Sequence, residues 1–475
     1  MADGGRLQGT VATVPCGQWV TDERKRAIGY RGKSMDERKI MEDAVQTMSR
    51  YVRFDTTNPP GNEMPAALWV ADQLTARGIT SDIRIHEPVA GRGLVVARIA
   101  GTEAAKPLML NHHIDVVAAD ASRWTHPPFS GEVTGGFVWG RGTLDTKGLG
   151  VMFLLALESL LKEGVKFRRP IVFTAVPDEE PGGDNGMRWL VEHHLKDIDP
   201  EWVWDEGTGG LKDVIGQGTM FAVAVAEKQI YRFRLIAAGD PGHGSMPHRN
   251  SANVTLLSAL SRIVGNPRPL RVDKAAEMMF RGLAPTQKFP ASLLLRHLSF
   301  PPALMLAGRA LAADKFTNAV LRDTVSPNVI QGGYQINVIP EQAAAELDCR
   351  LLPSTRAEEF HRWLVSRIAD DRIRIEMIQT SPPSGIAPLD SPFYRALQAG
   401  VQKHCPGAGV FPLLMAGATD GRYWRERGYP AYGFTPMLLE RADLGRVHGI
   451  DERISAENLL FGIKMTRDII KALCG

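Results

Sequence analysis

A chain of 475 residues, 44% hydrophobic and 23% charged, is long enough for two packed domains and has an ordinary globular composition. Its formal net charge of +3, with basic residues scattered rather than striped, argues against a nucleic-acid partner. No apolar run approaches the ~20 residues that cross a bilayer, and the N-terminus lacks a secretory layout. The four cysteines (Cys16, Cys349, Cys405, Cys474) are too dispersed for a disulfide framework or a thiolate metal site. The expected location is cytoplasmic.

Residues 1–34 are expected to be a loosely ordered extension. Order is expected to begin near Ser34, where Ser34 and Glu37 have the spacing of a capping box. Ile40, Met41, Ala44, Val45 and Met48 then recur at helical spacing. After the loop TTNPPGNE comes a second helix, PAALWVADQLTARG, which ends at Gly78, a C-cap residue. SDIRIH, GLVVARI and PLMLN read as strands, 150–164 as a helix, and PIVFTAV as a buried strand between Pro170 and Pro177. Helices alternating with apolar strands predict an α/β fold, a mostly parallel sheet flanked by helices, over 35–227. Ligands collect beyond the carboxyl ends of such strands.

The pattern changes near Glu227. YRFRLIA alternates, NSANVTLLSALSRIVG is helical, and NVIQGGYQINVI and AAAELDCRL alternate again. This predicts an inserted α+β domain over 228–354. Its middle, about 266–325, holds apolar, proline-interrupted helical material that forms either lid core or a pocket for a hydrophobic substrate part. From 355 to 475 the α/β character returns, with helix AEEFHRWLVSRIA, strand RIRIEMI and a last helix, SAENLLFGIKMTRDIIKAL.

Of the chemistry-bearing residues, His113, Asp178-Glu179-Glu180 and Asp205-Glu206 fall at such strand ends. His113 and Asp115 form an H-x-D, a metal-ligand type followed by a carboxylate able to support it. Adjacent strand residues face opposite ways, so only one of His112 and His113 reaches a given side; the spacing selects His113. Asp145 lies on the glycine-punctuated GRGTLDTKG, where a carboxylate can bridge two cations. Asp178-Glu179-Glu180 follows PIVFTAV directly; so many adjacent carboxylates call for a cation, and neighbouring glutamates can serve as ligand and base. The plain alternative is a solvated acidic turn. Asp205-Glu206 after EWVW and His448 in RVHGIDE are weak signals alone. In the inserted domain, His243 is flanked by glycines in GHGSMP. Asn337 and Arg350 lie on alternating strands, and Arg is the natural fork for a carboxylate. Gly417 to Arg422 (GATDGR) is a glycine-flanked turn suited to lining a pocket.

Taken in order, NHHIDVV, GRGTLDTKG, PDEEPGG, DEG, GHGSMP, GGYQINVIP with LDCR, GATDGR and HGIDE resemble the co-catalytic zinc metallopeptidases. That family includes aminoacylases, glutamate carboxypeptidases, acetylornithine deacetylase and related dipeptidases. The wording is most similar to the aminoacylase and yeast-type carboxypeptidase branch, and the resemblance runs from about Asn58 to Glu452. It implies two Zn2+ ions, with Co2+ or Mn2+ as substitutes. Asp145 would bridge them, with His113 and Glu206 on one and Glu180 and His448 on the other. It also implies Glu179 as general base, Asp115 as the support of His113, and a cis peptide after Asp145. The inserted domain would be a ferredoxin-like lid that mediates homodimerisation and carries His243 to the neighbouring site. Asn337, Arg350, Gly417 and Arg422 would hold substrate.

The expected function is hydrolysis of the amide bond of a small substrate with a free carboxylate: an N-acyl amino acid, a dipeptide or a peptide C-terminus. The alternative is a non-catalytic metal- or small-molecule-binding protein on the same scaffold. A serine hydrolase is disfavoured, since there is no G-x-S-x-G elbow.

Overall fold

Four parallel strands form the centre of the fold: Ile171–Val176, Leu108–His113, Trp202–Asp205 and Ala431–Gly433, side by side in that order. The computed structural model in which they are seen describes residues 35–213, 218–381 and 385–475. The 1–34 extension and the Ser34 half of the expected cap lie outside the described residues. Every residue of Leu108–His113 and Ile171–Val176 is buried, as expected where helices cover both faces of a parallel sheet. Antiparallel strands extend the sheet at both ends. Leu94–Ile99 and Asp82–His86 lie beyond Ile171–Val176, and Thr219–Glu227 beyond Ala431–Gly433. The α/β expectation holds.

The helix Lys147–Lys162 shows why this lobe packs as it does. KGLGVMFLLALESLLK is apolar nearly all round and is buried nearly all round, the mark of a helix enclosed on several sides. It packs under the sheet with the helices Ala456–Cys474 and Met35–Val52. Gly150 lets it come close: a Cβ there would lie 2.3 Å from His112 Nε2. The opposite face is covered by Met187–Ile198 and the short helix Gly421–Glu426.

The inserted domain is a four-stranded antiparallel sheet in the order Thr324–Gly332, Gln342–Leu351, Gln229–Ala238, Ile373–Thr380. The helices Ala252–Gly265 and Ala357–Ile368 pack on it. The chain order strand–helix–strand–strand–helix–strand in this arrangement is the ferredoxin-like one. It also corrects the expected boundary at 354. The helix and the strand RIRIEMI assigned to the second catalytic half close the inserted domain instead, which runs to about residue 380. Ile373 and Ile375 pair with Ala237 and Leu235 and join that domain's core. An alternating strand states which face is buried, not which sheet it joins.

The apolar middle segment is a second correction, because it is not lid core. Ala275, Ala276, Met279, Phe280 and Leu283 of the helix Lys274–Leu283 pack on Met220, Ala222, Ala224, Phe411 and Leu413 of the catalytic sheet. Lys228, at the crossing between the lobes, is buried, and its ammonium donates to the carbonyls of Ala319 and Arg322.

Candidate metal centre

The site is assembled from strand ends and from the loops beside them. His112 and His113 close the strand Leu108–His113 and point to opposite faces. His112 turns into the apolar side, with Nε2 3.0 Å from Tyr51 Oη and Nδ1 3.0 Å from the Thr174 carbonyl. Burial and the neighbouring His113 push it down to about 3, so it is a neutral structural imidazole. His113 turns the other way, with Nδ1 2.9 Å from the Asp115 carbonyl and Nε2 3.0 Å from Asp145 Oδ1 and 3.6 Å from Glu206 Oε1.

Asp145 comes from the loop before Lys147–Lys162, and its two oxygens face different histidines. Oδ1 lies against His113, and Oδ2 lies 2.9 Å from His448 Nε2. His448 Nε2 is also 3.3 Å from Glu180 Oε2. The residues therefore fall into two sets, His113 with Glu206 and His448 with Glu180, with Asp145 between them. Glu179 lies close to the first set: ligand atoms of His113, Glu179 and Glu206 all lie within 4.8 Å of one another. The same holds for His113, Asp145 and Glu180. The peptide bond between Asp145 and Thr146 is cis.

A network of buried side chains fixes this arrangement. Asp115 accepts from the backbone N–H of Glu179 at 3.0 Å and of Glu180 at 3.2 Å, and from Asn58 Nδ2 at 2.9 Å. Its carboxylate thus holds the acidic loop, while the hydrogen bond to His113 Nδ1 goes to its carbonyl. Asp178 has φ 72°, a left-handed backbone that Asp tolerates through side-chain hydrogen bonds. Those come from Arg92 Nη2, Asn58 Nδ2 and the Asn185 N–H. Glu452, four residues after His448, is fully buried and accepts from the N–H of Leu144 and Asp145 and from Arg141. Asp205 joins Asn111 Nδ2 to the Gly421 N–H. Sequence reasoning missed Glu452, Arg92, Asn58 and Asp205 in these roles. Only their presence inside the recognised motifs, or in the loop before them, hinted at them.

The electrostatics state what is needed to complete the centre. Burial, and then the facing Asp145 carboxylate, raises Glu206 well above the usual range. Glu179 rises too, from burial and then Glu206. Burial alone would raise Asp145, but hydrogen bonds from His113 and His448 outweigh it and hold the carboxyl low. His113 is drawn up despite its burial by Glu206 and Asp145. His448 is pushed up to about 10 by Asp145 and Glu180. Glu180 Oε1 is buried with no hydrogen-bond partner among the described residues. Crowded carboxylates, an orphaned oxygen and two imidazoles form a donor set that fits divalent cations.

The remaining expected residues are placed differently. His243 is exposed on the short strand Gly242–His243, its Nδ1 2.7 Å from Ser245 Oγ. Asn337 accepts the Gly244 N–H through its carbonyl beside that strand. Within the single chain, neither contacts the histidine–carboxylate cluster among the described residues. The Arg350 fork is engaged by Asp348 of its own strand, at 2.7 and 3.1 Å. Gly417 is exposed. Arg422 is buried behind the acidic loop and donates to the Gly182 carbonyl at 2.6 Å.

An α/β sheet with a ferredoxin-like insertion, and histidines and carboxylates gathered from its strand ends and the neighbouring loops, defines a metallohydrolase. The chain belongs to the M20 peptidases: residues 109–472 match the model of Peptidase family M20/M25/M40. It is 33% identical over 385 residues to the N-fatty-acyl-amino acid synthase/hydrolase PM20D1 of Xenopus tropicalis, covering 80% of this chain and 74% of that one. Aminoacylase-1 of Sus scrofa is 26% identical over 437 residues, 90% and 95% of the two chains. Among solved structures, an M20 family metallo-carboxypeptidase from Sulfolobus solfataricus shares the fold with a TM-score of 0.68 at 16% identity, covering 90% of this chain and 98% of its own. Human carnosine dipeptidase 1 gives 0.68 at 15%, covering 92% and 98%.

Proposed function

We propose that this chain hydrolyses the amide bond of N-acyl amino acids, using two divalent cations, Zn2+ in the first instance. The observation that carries the reading is Asp145, with one carboxylate oxygen toward His113 and the other toward His448. His113, Glu206 and Asp145 would hold one ion, and His448, Glu180 and Asp145 the other. Bound there, the ions supply Lewis-acid polarisation of the scissile carbonyl and a water acidic enough to lose a proton near neutrality. Glu179, left without a ligand role, accepts that proton and returns it to the departing amine.

The N-acyl amino acid class is favoured over free dipeptides by two of the relatives, a fatty-acyl-amino acid synthase/hydrolase and an aminoacylase. A homodimer through the inserted domain is supported by its surface. The edge strand Thr324–Gly332 exposes Val329 and Ile330, and the adjoining helix exposes Val254, Leu257 and Val264. In such a dimer the exposed His243 would serve the neighbouring site as an oxyanion donor, and Asn337, Arg350 and the 417–422 loop would meet the substrate carboxylate. Cys349, Cys405 and Cys474 are free thiols, which suits a cytoplasmic location.

The test is hydrolysis of N-acetyl and N-oleoyl amino acids and of dipeptides by zinc-restored protein, beside Glu179→Ala. The variant should retain its metal and lose activity by at least about a thousandfold. Undiminished turnover by Glu179→Ala refutes the assignment of the base. No amide hydrolysis by the metal-loaded parent favours the non-catalytic alternative.

A further inference from the structure

We propose that the outer face of the helix Pro301–Ala313, with the turn and short helix before it, is a docking surface for an anionic lipid bilayer. The proposal does not rest on the reaction assigned above. The inner face of this helix, Ala303, Leu304, Ala307 and Leu311, packs on the core below. Its outer face at helical spacing is Pro302, Met305, Leu306, Arg309, Ala310 and Ala313, all exposed. A water-facing helix ordinarily turns polar residues outward; here Met305 is 78% exposed and Leu306 71%. Phe289 (80%), Leu293 and Phe300 continue the patch along the preceding segment. A groove of about 600 Å³ floored by Leu270, Val272, Pro301 and Leu304 opens beside it.

Charge selects the occupant. The chain carries 53 Asp and Glu, yet the run from Met278 to Ala313 contains none, while holding Arg281, Lys288, Arg296 and Arg309. Arg281 is engaged by Glu277 at 2.9 Å; the other three make no ion pair among the described residues. A second copy of the face would oppose cation to cation. Exposed Phe, Leu and Met interspersed with Lys and Arg match an interface whose headgroups are anionic and whose interior takes apolar side chains.

The experiment is flotation of the full chain with vesicles of phosphatidylcholine alone or phosphatidylcholine containing phosphatidylglycerol. Three cations near an anionic surface should favour the mixed vesicles on the order of a hundredfold, and added salt should erase most of that gain. The double variant Met305→Glu/Leu306→Glu should lose at least about tenfold in binding with an unchanged thermal midpoint, both side chains being exposed. Leu68→Glu, at an exposed apolar site on another helix, should bind as the parent does. Equal or absent binding to the two vesicle types overturns the proposal. So does parent-like binding by the double variant, or a parental dimer that this variant dissolves.

Discussion

Replacing Arg92 with methionine keeps the aliphatic stem and removes the charge that holds the acidic loop. Arg92 Nε lies 2.7 Å from Glu63 Oε2, and Nη2 lies 2.7 Å from Asp178 Oδ1, all three side chains buried. Breaking a buried pair by removing one partner costs ~3–5 kcal/mol, because the other charge is left uncompensated. Asp178 retains Asn58 and Asn185 as donors, so Glu63 carries most of the loss. Burial, and then the Asp115 carboxylate, already raises Glu63 to about 7. Below neutrality it takes up a proton and escapes much of the penalty. The expected result is a loss of ~3 kcal/mol or more at pH 8 and a clearly smaller one at pH 6. Urea unfolding followed by tryptophan emission measures it, since Trp204 and Trp424 are both fully buried in this lobe. Arg92→Met should also slow turnover, because the loop it anchors carries Glu179. A loss below ~1 kcal/mol at pH 8, or an equal loss at both pH values, refutes the reasoning.

The parent should show the Glu63 effect on its own. A carboxyl raised from 4.5 to about 7 stabilises the fold fully below the first value, and that stability is gone once pH has risen through the second. The change is on the order of 3 kcal/mol, and Glu63→Gln should flatten that part of the pH–stability curve. Gly150→Ala pushes a methyl against His112 and should cost ~1–3 kcal/mol by thermal unfolding. Glu452→Gln loses an acceptor for the N–H groups of Leu144 and Asp145 or the partner of Arg141. It should weaken zinc binding roughly 10- to 100-fold by competition with a chelator. Chelation of the parent should abolish hydrolysis and lower its unfolding midpoint, and added Zn2+ should restore both.

The chain itself determines the class of fold and the neighbourhood of the site. Apolar strands alternating with helices are a local property, and short motifs at strand ends follow from where parallel strands terminate. Strand ends and adjacent carboxylates marked His113, Glu179 and Glu180; Asp145, Glu206 and His448, loop-borne or weak alone, were legible only through the resemblance of the ordered motifs, and the six stand together. What the motifs could not state is decided by contacts between distant segments. RIRIEMI alternates identically whichever sheet it joins, so only pairing with Gln229–Ala238 settles that it closes the inserted domain. The apolar helix Lys274–Leu283 has one buried stripe, and nothing local says whether the lid or the catalytic sheet lies beneath it. Glu452, Arg92 and Asp205 act through partners dozens to hundreds of residues away. A buried charge is tolerated only where the folded chain supplies its counterpart, and no stretch of sequence carries both.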